Sequence, residues 1–336
     1  MSARGDFGFQ PLISTYAPRL EDMDPRATQF GMSLQAIYVY GAFRDLDGGL
    51  YGLIRKFVGP LTTGLGLMTV RDGGLRVDPA SLRGARGAST RRLTADSHTY
   101  VGQAMPGEEP FEIRVTDREM AWSEGDLMSL EGTLGAPAIQ IYIPSHEESA
   151  MYASQLYPAG GTILGRPVTG FMLFDQSYMP PGIDWKDSRV FNDLEYAWGS
   201  FATEHADGSL EWGHVCLGRR RFSFAAIADR EGEVTFTTDV TGGVDVGADD
   251  WAERISFRAA NEPWEWIPDA DGRLADFSAA RPGYFAQTGW ARRVGETRTP
   301  TRWFAWQETF PERIRSDGFP AASSKAGSSV HEKGDR

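Results

Sequence analysis

The chain has 336 residues, 41% of them hydrophobic and 12% aromatic, with 46 acidic against 34 basic side chains and a formal charge of −12. Its acidic side chains are scattered, so a phosphate backbone or an anionic bilayer would be repelled, which excludes nucleic acid and membrane surfaces as expected partners. Residues 1–30 lack the apolar run of a signal peptide and no later stretch approaches the ~20 apolar residues of a membrane span, so a cytoplasmic protein without membrane insertion is expected. The length accommodates two cores at ~150 residues per domain. The single cysteine, Cys216, excludes an intrachain disulfide and a thiolate metal cluster and reads as a small buried hydrophobe.

Glycine at 39 positions and proline at 19 punctuate the sequence, and the segments between them alternate or run apolar over strand lengths, the grammar of an all-β chain. Leu20, Met23 and Ala27 keep a helical spacing between Pro18 and Thr28, enough for a short capping helix. Ser33 to Phe43 reads as a strand, Asp45-Leu46-Asp47-Gly48-Gly49 as its turn and Leu50 to Phe57 as the returning strand. Phe111 to Val115, Met128 to Leu130 and Ile139 to Ile143 continue the pattern. At Met179-Pro180-Pro181-Gly182 two prolines stop a central strand, and the boundary between domains 1–180 and 181–315 is expected there. Beyond it lie a hairpin around Ala206-Asp207-Gly208 and another around Asp229-Arg230-Glu231-Gly232. From Ser316 the composition turns to Gly, Ser and charge, so 316–336 is expected to be a disordered tail.

The chain also echoes itself. Tyr152-Ala153-Ser154-Gln155 and the stretch Gly170 to Tyr178 return in worn form as Tyr284-Phe285-Ala286-Gln287 and Arg302 to Phe310, at one offset of 132 residues for both. A constant register over two separated stretches predicts a duplicated β-rich unit rather than a solenoid. The segment from Tyr152 through Gly160-Gly161-Thr162-Ile163-Leu164-Gly165 to Gly170-Phe171-Met172-Leu173-Phe174-Asp175-Gln176-Ser177-Tyr178, followed by Tyr196-Ala197-Trp198-Gly199-Ser200-Phe201 and Asp207-Gly208-Ser209-Leu210-Glu211, resembles the hydroxyneurosporene synthase-like family. Gln176, Ser177 and Tyr178 stand where that family follows its aspartate with an acidic residue and a tryptophan. The resemblance implies two tandem lipocalin-like (calycin-type) antiparallel β-barrel or sandwich domains with few short helices. It also implies chemistry of the carotenoid 1,2-hydratase and kievitone hydratase kind and, more remotely, of decalin-forming Diels–Alderases, all acting on bulky hydrophobic molecules.

Asp175 ends an apolar strand, and alternation gives it the face of Leu173 and Phe171. If that face lines a pocket, desolvation raises the carboxyl's pKa and makes it a general acid; otherwise it caps a turn. Tyr178 offers a phenolic donor. Glu195, Tyr196, Trp198, Trp212 and His214 fall on two strands that should pair, with Trp212 and His214 on one face. Such aromatic walls suit a rigid hydrophobic molecule, or simply a barrel core. Asp175, Tyr178 and His214 are therefore the candidate catalytic residues, and Phe171, Leu173, Tyr196, Trp198 and Trp212 the candidate substrate contacts. His98 and His146 sit in loop-like contexts and read as solvated. No HExxH, HxH or CxxC pattern and no phosphate-binding strand–loop–helix occurs, so neither a metal nor a nucleotide cofactor is expected. Two readings stay open: a cofactor-independent lyase, isomerase or cyclase acting on a terpenoid-, polyketide- or steroid-like substrate, and a carrier that binds such a molecule unchanged.

Overall fold

A computed structural model describes residues 10–24, 28–84, 87–145, 148–219 and 222–322. The strand Met32–Asp45 shows how the sequence builds it. Ile37, Val39 and Phe43 point into one core cluster while Tyr40 and Ala42 point into another, so both faces are buried and the strand reads as a nearly continuous apolar run. Its turn is fixed by Asp45, whose Oδ1 accepts from the backbone N–H of Asp47 at 3.0 Å and of Gly49 at 2.7 Å, with Gly48 in the left-handed region at φ 84°. The chain then returns as Leu50–Val58.

Among the described residues the strands form two antiparallel sheets, one of fourteen strands and one of nine. The first curls into a half-barrel and the second closes most of the way into a barrel. Both follow one plan. In the first sheet Met32–Asp45 lies between the strand that follows it and the sheet's last strand, Arg166–Met179; in the second, Glu195–His205 lies between Leu210–Gly218 and the last strand, Pro300–Thr309. The 132-residue echo marks the closing hairpin of each sheet, Ala150–Ile163 with Arg166–Met179 and Phe285–Arg293 with Pro300–Thr309. The chain passes from one sheet to the other between Met179 and Glu195, across the two prolines.

Odd positions of Arg166–Met179 face the second sheet. Leu156, Phe171 and Leu173 share a core cluster with Trp198, Trp212 and Phe304 of the other unit. Around it, Arg44 holds Asp269 with two bonds of 2.7 and 2.6 Å and donates to the carbonyl of Trp303 at 2.8 Å. Arg302 returns the contact to the carbonyl of Ala159 at 3.2 Å.

Three expectations differ from the structure. The capping helix is a single 3-10 turn, Leu20–Met23, and residues 25–27 of that stretch lie outside the described set. His98 opens the strand His98–Gly102 and is 2% exposed rather than solvated, because cross-strand pairing to Val115 draws it into the sheet; His146 lies outside the described residues. The tail begins later than Ser316. A helix, Pro311–Ser316, and the residues after it pack on the second sheet, with the carbonyl of Pro320 accepting from Val244 N at 2.9 Å and that of Ala322 from Ser256 at 3.1 Å. Residues 323–336 lie outside the described set. No described helix is long and apolar enough to cross a membrane.

Candidate active site

Where the two sheets meet they leave a cavity of ≈ 290 Å³ walled by Tyr38, Tyr40 and Tyr152 of the first unit and by Trp198, Tyr284 and Trp306 of the second. Trp185, from the link between the sheets, packs edge-on against Trp198 at 5.7 Å between ring centres. Two carboxyls, Glu195 and Glu308, also line it, and Lys56, Lys186 and Arg281 stand at its edge. Aromatic area with a few convergent polar groups is the composition of a small-molecule site.

Asp175 is fully buried and lies just behind this wall. Register explains its surroundings. Asp175 is the cross-strand partner of Ser154, whose hydroxyl donates to Oδ1 at 2.5 Å, and Tyr152, two residues earlier on the same face, donates to Oδ2. On the other side the register places Tyr38 opposite Asp175, and the hydroxyl of Tyr40 also bonds the carboxyl. Tyr40 donates to Ser200 Oγ at 2.8 Å, and Ser200 Oγ lies 3.0 Å from His214 Nδ1. A buried polar chain thus runs from Asp175 in one unit through Tyr40 and Ser200 to His214 in the other. The other ring nitrogen of His214, Nε2, has no hydrogen-bond partner among the described residues.

Burial dominates the electrostatics. It pushes Asp175 up from 3.8 to about 7, against the lowering pull of its bonds with Ser154, Tyr152 and Tyr40 and with a further push from the charge of Glu308. Burial alone drives His214 down to about 3, so the ring is neutral at physiological pH. Glu195 is raised by burial and then by Glu308, and Glu308 by burial against the bonds it accepts from Tyr284 and Trp306. Lys56 is lowered by burial, with Asp184 opposing.

Of the residues singled out in the sequence, Trp198 lines the cavity, Asp175 touches two residues that do, and His214 reaches it through Ser200. Phe171 and Leu173 share the face of Asp175 and pack in the core beneath, as does Trp212, whose ring lies 5.9 Å from that of His214. Tyr178 stands elsewhere. It faces Met32 and Met151, donates to the carbonyl of Asp22 at 2.8 Å and accepts from Gln176 at 2.9 Å. Tyr196 also leaves the cavity, because an irregularity in strand pairing between Glu195 and Ala197 sends it to the second core, where it donates to Asp317 at 2.6 Å. Glu195, Tyr38, Tyr40, Tyr152, Trp185, Ser200, Tyr284, Trp306 and Glu308 are among the site residues that were not selected from the sequence. Tyr152, Tyr284 and Glu308 all fall within the echoed stretches, which was the available signal.

One further cluster has the residue types of a metal site. A ligand atom of each of His205, Glu211 and Glu296 lies within 4.8 Å of the others. Its carboxylates are already neutralised by Arg293 at 2.7 Å from Glu211 and by Arg298 at 2.9 Å from Glu211 and 2.6 Å from Glu296, so the donor set fits arginine rather than a cation.

No family model and no curated protein sequence matches the chain. Among solved structures it is similar to a protein described as an AttH of Nitrosomonas europaea, at 14% identity and a TM-score of 0.45, covering 86% of this chain and 96% of that one. It is also similar to kievitone hydratase of Nectria haematococca, at 10% identity and a TM-score of 0.45, covering 91% of this chain and 98% of that one.

Proposed function

We propose that this protein is a cofactor-independent enzyme that adds or expels water, or shifts a double bond, in a hydrophobic terpenoid-, polyketide- or steroid-like molecule held between the two β-units. The observation that carries the reading is a buried carboxyl near neutral pKa bonded to two tyrosines whose rings form the cavity wall. A carboxyl poised at about 7 stores a proton at physiological pH and can release it. Tyr152 is the group that would touch the substrate: when the protonated Asp175 donates to the Tyr152 oxygen, the tyrosine gives its own hydroxyl proton to a carbon or a departing hydroxyl as it takes the carboxyl proton, and the carboxylate regains a proton through Tyr152 from the water that adds or from the carbon that loses one. The aromatic walls would exclude bulk water and hold one conformer of the substrate. Asp175→Asn removes the stored proton and keeps the shape, so turnover of a supplied lipophilic substrate, followed by mass spectrometry, should fall by at least ~100-fold with binding retained. Full turnover in that variant ends the reading.

The recess of Asp175 behind the wall supports a second reading, a carrier. In that case ligand recovered after incubation would have an unchanged mass and an unchanged isomer.

A further inference from the structure

Glu195 is 1% exposed, lines the cavity, and both of its carboxyl oxygens are buried without a hydrogen-bond partner. Its position is a product of the backbone. Alternation from Trp198 would turn residue 195 away, but the irregular pairing between Glu195 and Ala197 returns it to the cavity side and turns Tyr196 out. Glu308 faces the same cavity from the neighbouring strand, paired with Trp198, and is provided for: Trp306 Nε1 donates to it at 3.0 Å and Tyr284 bonds it too. One member of this carboxyl pair is built to accept hydrogen bonds. The other is left with a group that nothing among the described residues satisfies.

We propose that Glu195, which shares the cavity wall with Glu308, is held as a neutral acid and donates its proton as a hydrogen bond to a carbonyl or hydroxyl oxygen on an otherwise apolar ligand. Leaving a charged carboxylate in this place would be more costly than leaving it neutral, and leaving the neutral acid unpartnered still costs desolvation, which a ligand oxygen removes. A protonated carboxylic acid in an apolar site is an effective donor to such an oxygen. The groups that face the pair support this assignment. Burial is the largest influence on Glu195, the charge of Glu308 adds to it, and Arg313 and Arg281 oppose. Arg313 donates to the backbone carbonyl of Glu195, not to its carboxyl, and Arg281 stacks over Phe191 at 4.4 Å. Cys216 and Tyr284 are both raised by burial and stay neutral, and Glu308 also acts on Tyr38, Tyr40, Tyr152 and Asp175, each raised first by burial and in part by the charge of Glu308. The ligand class that follows is a hydrocarbon body with an oxygen function that meets Glu195. The proposal rests on the cavity being the ligand site and is independent of which reaction occurs there.

The test compares two probes of the same shape, 2-acetylnaphthalene and 2-isopropenylnaphthalene, by calorimetric titration. At about pH 5.5 the wild-type protein should bind the ketone ~10-fold more tightly than the hydrocarbon, the worth of one satisfied hydrogen bond. The preference should disappear in Glu195→Leu, persist in Glu195→Gln, whose amide donates at any pH, and fade in the wild type as pH rises. In Glu308→Gln it should fade at a lower pH, because the like charge that raises Glu195 is gone. Equal affinity for the probes in the wild type, an unchanged preference in Glu195→Leu, or an unmoved pH midpoint in Glu308→Gln overturns the proposal. Loss of the preference in Asp175→Asn but not in Glu195→Leu would overturn it as well, while leaving the cavity as the binding site. Failure of both probes to bind would remove the cavity reading and this proposal together.

Discussion

Tyr152 and Tyr284, 132 residues apart in the chain, stand at corresponding places in the closing hairpins of two sheets and line one cavity, each bonded to a carboxyl on the last strand of its own unit, Asp175 for the first and Glu308 for the second. The echo aligns the two tyrosines but not the carboxyls, because Gln307 stands in the repeat where Asp175 does and Glu308 where Gln176 does, so the two tyrosine–carboxyl pairs at the junction are not copies of one another. Their environments differ: Asp175 is recessed and accepts from Ser154 and Tyr152, while Glu308 is at the wall together with a second acid, Glu195, that has no partner among the described residues. The two halves thus place unlike acids around one cavity.

The titration of Asp175 makes stability fall as pH rises. Its folded pKa, about 7, lies above the ordinary 3.8, so between those values the unfolded chain ionises while the folded chain does not, and the stabilising proton is fully lost above the folded value. From about pH 5 to about pH 8 this group alone should remove ~2–3 kcal/mol of stability, at ~1.4 kcal/mol per unit. Asp175→Asn should lack that slope. Urea unfolding of wild type and variant at the two pH values checks it, and parallel curves would show that Asp175 titrates normally.

His214 works in the opposite sense. Its folded pKa of about 3 lies below the ordinary 6.5, so on acidification the unfolded chain gains a proton that the folded chain refuses, and stability is lost as pH falls below 6.5. Between about pH 7 and about pH 5 the loss should be ~2 kcal/mol, absent in His214→Gln. Thermal midpoints across this range, read for the variant against the wild type, would reveal a ring that is charged in the native state if the two profiles coincide.

The fold was legible wherever burial follows alternation. Phe171, Leu173 and Asp175 share a face, as do Trp212 and His214, and the echoed hairpins close their sheets. Tyr178 lies three residues from Asp175 on a strand, which sets it on the other face; its candidacy rested on nearness in sequence rather than on period. Tyr196 and Glu195 exchanged sides at an irregularity that no periodic rule anticipates. The cavity itself was hidden because its walls come from residues 38–63, 152, 185–200 and 277–308, and only the docking of the sheets brings these together.

Away from the cavity, Arg55 and Glu124 form a buried ion pair in the first unit. Each is at most 3% exposed; the guanidinium makes bonds of 3.0 and 2.6 Å to the carboxylate, donates to the carbonyl of Ser81 at 2.9 Å, and Trp122 Nε1 adds a bond of 2.8 Å to Glu124. Removing one partner strands a charge in the core, so Arg55→Met or Glu124→Gln should each cost ~3–5 kcal/mol, while the double variant should cost less than the sum. Additive losses in chemical denaturation would mean that the two side chains act independently.

Ser200 is the polar joint between the units. It is 2% exposed, accepts from Tyr40 at 2.8 Å and bonds His214 Nδ1 at 3.0 Å. Ser200→Ala leaves the Tyr40 hydroxyl without its acceptor and the His214 ring without its only bond, and should cost ~1–3 kcal/mol. Tyr40→Phe removes the donor to Ser200 and the bond with Tyr40 that helps hold the Asp175 pKa down, so it should also raise the pKa of Asp175 further. The two substitutions strike the same chain of bonds, and their combined cost should fall short of the sum by ~1 kcal/mol. Because Tyr40 belongs to the first sheet and Ser200 to the second, that shortfall measures coupling across the junction itself. A sum that closes without a remainder would mean that Tyr40 and Ser200 are not coupled and that the hydrogen bond between them does not help hold the two units together.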